Sequence, residues 1–296
     1  MKIILACDPA TSPEELLQHV KARAWGPATT FRVLAAVDQI PADYFMDAVP
    51  DVMAHAGVRA VKHAESQAET MLAALRTGGL HGTCVVIDGD PHHAIVEEAG
   101  RIGADLILLG APRREEGFPS LNNRVARAVI RHAPCSVQIM RTGVVRRVLI
   151  PTDGSVYSIA VAHSIAARKW HEGTVFQVMS VMEPISAAAS FLYPPHGLLA
   201  DDSEEAESLR EHAMQKVLSA IQETEQILIA AGLAVTDHVL LNVESPAKLI
   251  LKEATTWGAD LIVMGSHGRR GLKRFLIGSV SESVAMHAGC SVEIVR

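Results

Sequence analysis

The chain has 296 residues, of which 49% are hydrophobic, and its formal net charge is −6 at pH 7. This length predicts about two domains, and the hydrophobic content excludes an intrinsically disordered chain. The acidic balance, without a long basic run, argues against a nucleic-acid partner, and no apolar run is long enough to span a bilayer. The apolar start at residues 3–7 predicts a first strand rather than a secretory signal. With four scattered cysteines, it indicates a cytoplasmic protein.

Short apolar runs alternate with helical patterns along the whole sequence. In the first half the predicted strands are residues 3–7, 31–37, 83–87, 106–109 and 137–140. In the second half they are residues 148–150, 175–181, 239–243, 261–264 and 292–295. Continuous apolar runs of this length, separated by helices, are typical of a parallel sheet that is covered on both faces. The sequence therefore predicts an α/β protein with two tandem, doubly wound, five-stranded parallel sheets.

The longest predicted helix lies in the second half, at residues 204–231. Ser203 is a plausible N-cap for it, and Gly232 is a plausible helix stop. Before it, residues 183–202 contain several prolines and alanines, which predicts a long irregular loop close to the mouth of a ligand site. This insertion is either a lid or a solvent-exposed segment without a role.

The two halves are copies of one unit. Residues 103–110, GADLILLG, return as residues 258–265, GADLIVMG, and the Cys-Ser-Val at 135–137 returns at 290–292, each 155 positions later. The starts of the copies are 145 positions apart, so the second copy carries about ten more residues in its first half. We predict domains at residues 1–143 and 144–296, and we expect the equivalent Cys135 and Cys290 to be buried.

A glycine-rich loop stands between a predicted strand and a predicted helix in the second copy. Residues 265–279 read GSHGRRGLKRFLIGS, in which Gly265 and Gly268 are followed, after nine residues, by Gly278 and Ser279. Glycine lets backbone N–H groups approach an anion closely, and a helix N-terminus favours negative charge. The loop therefore predicts a phosphate site.

The G-x2-G-x9-G-[S/T] spacing resembles the ATP-binding universal stress proteins, and the resemblance covers nearly the whole chain. It implies Rossmann-like domains of the adenine nucleotide alpha hydrolase type, related by a pseudo-twofold axis. It also implies an adenine nucleotide ligand, ATP, alone or with Mg²⁺ on its phosphates, and a regulatory role in stress response. The implied binding residues are Pro151, Thr152, Asp153, Val178, Gly265, His267, Gly268, Arg269, Gly278, Ser279, Val280 and Ser281.

Several of these residues have a second interpretation. Asp153 either reaches the nucleoside end of ATP or caps the helix after it. Val178 resembles the residue whose backbone meets adenine, but an alignment shifted by three positions selects Val181. His267 makes a structural hydrogen bond or contacts the ligand, with acid–base catalysis as a third option. Positive charge around the loop comes from Arg269, Arg270, Lys273 and Arg274.

The first copy departs from the loop pattern. It keeps Gly110 and, at the end of its first strand, Asp8, but it carries Arg113, Asn123 and Arg124 where the second copy has its later loop glycines and the serine. Side chains would then occupy the space that phosphates need. We predict one ATP site per chain, in the second copy; the arginines of the first copy could bind another anion.

Signatures of fast catalysis are absent from the sequence: it has no G-x4-G-K-[S/T] loop and no G-x-S-x-G nucleophile elbow. We therefore predict no catalytic residues. The alternatives to a regulatory ATP-binding protein are a slow ATPase and an ATP-independent interaction protein with a vestigial loop.

Two further expectations concern metals and assembly. His92 and His93 are the adjacent histidine pair, but neighbours on a helix point about 100° apart, so we predict no metal site. Each copy ends in an apolar strand, at residues 137–140 and 292–295, and such edge strands tend to be covered. We therefore expect an intrachain pseudo-dimer, with a homodimer as a further option.

Overall fold

The computed structural model describes residues 1–7, 13–38, 50–110, 121–141, 143–182, 204–241, 245–268 and 277–296. They divide into two compact units, Met1–Val144 and Val145–Arg296. Some predictions concern residues outside these ranges: Asp8, Arg113, the insertion at 183–202, Ser203, and the basic residues Arg269, Arg270, Lys273 and Arg274.

The first unit is a five-stranded parallel sheet with helices between its strands. Its strands are β1 (Lys2–Cys7), β2 (Thr30–Val37), β3 (His81–Asp88), β4 (Leu106–Gly110) and β5 (Ser136–Met140). Its described helices are α1 (Pro13–Lys21), α2 (Pro50–Thr77), α3 (Pro91–Ile102) and α4 (Leu121–His132). The strand order is β3-β2-β1-β4-β5, so the order reverses between β1 and β4. This is the predicted doubly wound fold.

The second unit repeats this architecture. Its strands are β6 (Arg147–Pro151), β7 (Val175–Met182), β8 (Ala234–Leu241), β9 (Leu261–Gly265) and β10 (Ser291–Val295). Its described helices are α5 (Val156–Ala166), α6 (Glu204–Ala230), α7 (Pro246–Trp257) and α8 (Ser279–His287). The order β8-β7-β6-β9-β10 reverses between β6 and β9, and all the pairings are parallel. Gly232, just after α6, has a φ of +77°, which confirms the predicted helix stop.

The largest difference from the predicted strands is at β8, which begins five residues before the predicted residue 239. The apolar run at 239–243 placed β8 too late, because the strand already begins at Ala234. Val235 is partly buried against the core, whereas its neighbours Ala234 and Thr236 are exposed. β8 pairs with β7 alone within its sheet, and one apolar face is enough for such a strand. A search for continuous apolar runs therefore misses its first half.

Alternate residues of the strands bury opposite faces of each sheet. In the first unit Ile3, Leu5 and Phe31 pack with side chains of α1 and α2. In the second unit Val148, Ile150, Phe176 and Val178 pack with the apolar faces of α5 and α6. Cys135 and Cys290 are buried, as predicted. In the described part of the chain, no helix combines the length and apolar character needed to cross a membrane.

Candidate functional site

The candidate site lies where the strand order of the second unit reverses. β6 and β9 are parallel neighbours there, so the turn after Pro151 and the turn after Gly265 leave the same edge of the sheet. The first turn leads into α5. After the second turn, the described chain resumes at Ile277 and enters α8. Sheets of this type bind ligands at such an edge.

The turn after β6 is held by a chain of buried hydrogen bonds. The amide of Thr152 donates to the carbonyl oxygen of Met179 at 2.8 Å. The Oγ1 atoms of Thr152 and Thr224 are 3.1 Å apart, and the Thr224 hydroxyl donates to the carbonyl of Ala220 at 2.8 Å. The single hydroxyl proton of Thr224 is thus engaged, so Thr152 must donate to Thr224. The side chain of Thr152 therefore anchors the turn to α6.

Asp153 sits between the two turns. Its Oδ1 accepts a hydrogen bond from the amide of Ser155 at 3.0 Å. Ser155 is the N-cap of α5, with its hydroxyl accepting from the amide of Ser158 at 3.3 Å. The helix-capping role considered for Asp153 thus belongs to Ser155. The other carboxylate oxygen of Asp153 lies against Gly268 in the second turn.

The three loop glycines differ in how much space a side chain would have at each position. A Cβ atom on Gly265 would lie 2.9 Å from the Cβ and 3.1 Å from the carbonyl carbon of Tyr157 in α5, closer than packing allows. A Cβ on Gly268 would lie 2.7 Å from Oδ2 of Asp153. Among the described residues, a Cβ on Gly278 would meet nothing closer than 3.4 Å, and its φ is −68°, which any residue adopts. The packing of the described residues therefore requires the first glycine but does not require Gly278.

The N-terminus of α8 presents backbone amides at this site. Gly278 is the N-cap, and among the described residues no side chain caps the helix. The amides of Ser279, Val280 and Ser281 are in the first turn, where no earlier turn of the helix supplies acceptors. The partial positive charge of the helix end adds to their attraction for an anion. Ser279 is exposed and Val280 is partly exposed, so both stay accessible.

Two hydrogen bonds fix the position of this helix end. The amide of Gly278 donates to the carbonyl of Ser266 at 2.7 Å. The buried hydroxyl of Ser281 donates to the carbonyl of Gly265 at 2.7 Å. The Ser281 side chain therefore joins β9 to α8, and only its amide remains for a ligand.

His267 is 7% exposed, and its two ring nitrogens have different surroundings. Its Nδ1 is 3.1 Å from the hydroxyl oxygen of Ser266, which is the structural hydrogen bond considered from the sequence. Its Nε2 is buried and, within the described part of the chain, has no hydrogen-bonding partner. Burial, and secondly the charge of Arg296, lowers the pKa of the imidazole below its ordinary value. The ring is therefore neutral at pH 7 and offers a polar atom rather than a charge.

Val178 lies below the site, whereas Val181 lies beside it. Val178 is fully buried in the core and pairs with Ile150 of β6 and Asp237 of β8. In a parallel strand, residues two apart direct their backbone groups to the same neighbour. Met179 accepts from Thr152 on the β6 side, so Val181 also faces that side, beyond the end of β6 at Pro151. The geometry favours Val181, the shifted alternative, as the residue with backbone groups available to a ligand.

The first unit differs from the second at the matching helix. α8 begins at Ser279, but α4 begins at Leu121, three residues before Arg124, which is the counterpart of Ser279. Both helices end at matching histidines, His132 and His287. The amides of Arg124, Val125 and Ala126, which match those of Ser279, Val280 and Ser281, therefore come after the first three residues of the helix, where the helical ladder uses them.

Comparisons with known proteins identify the family. The family model described as "Universal stress protein family" matches residues 1–141 and again residues 145–296. The chain belongs to this family. Two matched segments make it a tandem-domain universal stress protein, and family membership supports a role in stress response.

Individual relatives agree with this assignment. A universal stress protein of Methanocaldococcus jannaschii is 33% identical over 163 residues, which is 53% of this chain and 87% of the relative. Universal stress protein A homolog 2 of Coxiella burnetii is 50% identical over 62 residues, 21% of this chain and 41% of the relative. The crystal structure of a universal stress protein from Archaeoglobus fulgidus covers 100% of this chain and 96% of its own, with a TM-score of 0.65 and 18% identity. That structural likeness supports the fold.

Proposed function

We propose that this protein binds ATP in its second unit and that nucleotide binding serves a regulatory role in stress response. The observation that carries the proposal is the N-terminus of α8. Its N-cap is Gly278, and among the described residues packing does not require this glycine and no side chain caps the helix. A phosphate on these amides would satisfy them and would use the space that the missing side chain leaves.

The surrounding residues fit the remaining parts of the nucleotide. The buried Nε2 of His267 has no partner among the described residues, and a ligand atom would remove the cost of leaving it unpaired. The Asp153 carboxylate, which lies against Gly268, can accept hydrogen bonds from ribose hydroxyls, and the backbone of Val181 can pair with the adenine edge. A Mg²⁺ ion would be carried by the phosphate oxygens.

The direct test is to identify the nucleotide that copurifies with the protein. Denaturation of the purified full-length chain releases any tightly held nucleotide, which chromatography and mass spectrometry then identify. ATP supports the proposal, and ADP or AMP supports the slow-ATPase alternative. A nucleotide-free protein that also fails to bind added ATP would support the ATP-independent interaction protein instead.

We predict about one ATP site per full-length chain. The first unit lacks the second unit's helix start, because α4 runs through the position of Arg124. Titration calorimetry measures the stoichiometry directly. Arg113→Gly is a matched test, since a glycine there restores one loop position without shortening α4 and should leave the stoichiometry unchanged. Two equivalent sites in the wild type would contradict the asymmetry.

We predict ATP hydrolysis slower than about 1 per second, the lower end of ordinary enzyme turnover. Helix amides and loop groups bind the phosphates before and during reaction alike, and uniform binding does not raise turnover. Phosphate release from the purified protein measures the rate. Gly278→Asn is the control, because contaminating ATPase activity would persist in a variant that no longer binds ATP. Faster turnover that disappears in this variant would show that the protein is an enzyme.

A further inference from the structure

Three potential metal ligands meet at the start of α3 in the first unit. Asp90 is the N-cap, and its Oδ1 accepts from the amides of His92 and His93 at 2.9 and 3.2 Å. The two imidazole rings have centroids 3.9 Å apart, tilted by 38°. One ligand atom from each of the three residues lies within 4.8 Å of the others. The divergence expected for adjacent helical residues is thus overcome here, because both rings turn towards the capping carboxylate.

A fourth candidate ligand comes from another helix. His132 is in the last turn of α4, and its ring centroid is 6.1 Å from that of His92. Its Nδ1 is 2.9 Å from the carbonyl oxygen of Ala128, an acceptor, so Nδ1 carries the proton and donates. The lone pair is then on Nε2. A histidine that is oriented by a backbone carbonyl through one nitrogen is a common arrangement for metal binding through the other.

We propose that Asp90, His92, His93 and His132 form a binding site for a divalent transition metal of the zinc type. Three imidazoles and one carboxylate suit Zn²⁺, whereas Mg²⁺ and Ca²⁺ require mainly oxygen ligands. A tetrahedral site with bonds of about 2.0–2.1 Å separates its ligand atoms by about 3.4 Å. Closing the 4.8 Å spread of the Asp90, His92 and His93 ligand atoms and adding His132 needs side-chain rotation, which the 49% and 69% exposed side chains of Asp90 and His93 permit.

The ends of α3 and α4 contribute opposite partial charges at the proposed metal site. The N-terminus of α3 carries partial positive charge, which the Asp90 carboxylate offsets. The last turn of α4, which carries His132, has the partial negative charge of a helix C-terminus and favours a cation.

The second unit shows that the fold does not need these groups. The positions that match Asp90, His92 and His93 hold Ser245, Ala247 and Lys248. α7 forms there without any side-chain cap from Ser245. The match of His132 is His287, whose Nδ1 makes the same bond, 2.8 Å from the carbonyl of Ser283. His287 therefore has the structural role of His132 without the neighbouring ligands, which makes it a matched control.

Calorimetric titration of the untagged full-length protein with Zn²⁺ tests the proposal. We expect one saturable site per chain, lost in His92→Ala/His93→Ala. Asp90→Asn keeps a helix cap but removes the charge, and we expect it to weaken binding at least about 10-fold. We expect His132→Ala to do the same, whereas His287→Ala, which loses the equivalent backbone bond, should bind like the wild type.

Co²⁺ provides a second readout, because intense visible d–d absorption marks four-coordinate geometry and weak absorption marks six-coordinate geometry. Intense absorption that is absent from His92→Ala/His93→Ala supports the site. Binding that is unsaturable, or unchanged in that double variant, overturns it. The four-ligand site is also overturned if His132→Ala and His287→Ala bind Zn²⁺ equally, or if Co²⁺ stays six-coordinate.

Discussion

Gly278→Asn is expected to abolish ATP binding, with a loss of at least about 100-fold, or about 2.7 kcal/mol. The new side chain would stand at the N-cap of α8, where the proposed phosphate lies. Its amide oxygen would also accept from the first-turn amides and so compete with the ligand. Asparagine is among the best N-cap residues, and a Cβ here meets no atom of the described chain closer than 3.4 Å. The helix should therefore remain folded.

The effect is measured by calorimetric titration with ATP, alongside urea unfolding to confirm that stability is unchanged. Gly289→Asn is the matched control: it makes the same change in the same unit, at a position whose Cβ would have no atom of the described residues within 4 Å. The first copy already carries asparagine at the equivalent position, Asn123. If Gly278→Asn bound ATP as the wild type does, the phosphate would not lie at this helix end and the proposed site would be wrong.

Much of the fold could be predicted because its strands are buried on both faces. The predicted run at 261–264 coincides with β9 to within one residue, since an inner strand of a parallel sheet is apolar throughout. β8 was harder because, among the described strands, it pairs with β7 alone, and its first three residues alternate between exposed and partly buried. Its start at Ala234 depends on pairing with Val175 of β7, and a pairing register is not visible in local composition.

The candidate site was predicted less completely than the fold. Loop spacing identified three glycines but assigned all of them to phosphate approach. The structure separates them, because the contact of Gly265 with Tyr157 depends on how α5 packs on β9. The Nε2 of His267, which has no hydrogen-bonding partner among the described residues, likewise depends on burial. Such contacts join segments far apart in sequence, and no local pattern reports them.

The difference between the two units shows how a change of sequence is converted into geometry. The substitutions at Asn123 and Arg124 predicted a blocked loop, which treats the effect as steric. The helix start adds a second effect, since α4 begins three residues earlier than α8 relative to the matched sequence. The first-unit counterparts of the amides proposed to bind phosphate in the second unit are already used by the helical ladder. Mutating a single loop residue therefore cannot convert one unit into the other.

Gly265→Val is expected to destabilise the second unit by roughly 3 kcal/mol, the upper part of the range for an overpacked core. The Cβ alone would lie 2.9 Å from the Cβ of Tyr157 and 3.1 Å from its carbonyl carbon. The second contact is with backbone in α5, which cannot move aside as a side-chain end can. Relief requires α5 to shift away from β9, and that shift opens the core around Val161 and Ile165.

Urea unfolding of the full-length protein measures this loss as a lower transition midpoint. Gly289→Val serves as the control and should leave the midpoint nearly unchanged, because its side chain has open space. Gly265→Val and Gly278→Asn should therefore have different effects: the first lowers the stability of the protein, and the second lowers its ATP affinity at unchanged stability. If Gly265→Val were as stable as the wild type, α5 would not be packed against β9 at this glycine. The distinction between a glycine needed for packing and one needed for binding would then fail.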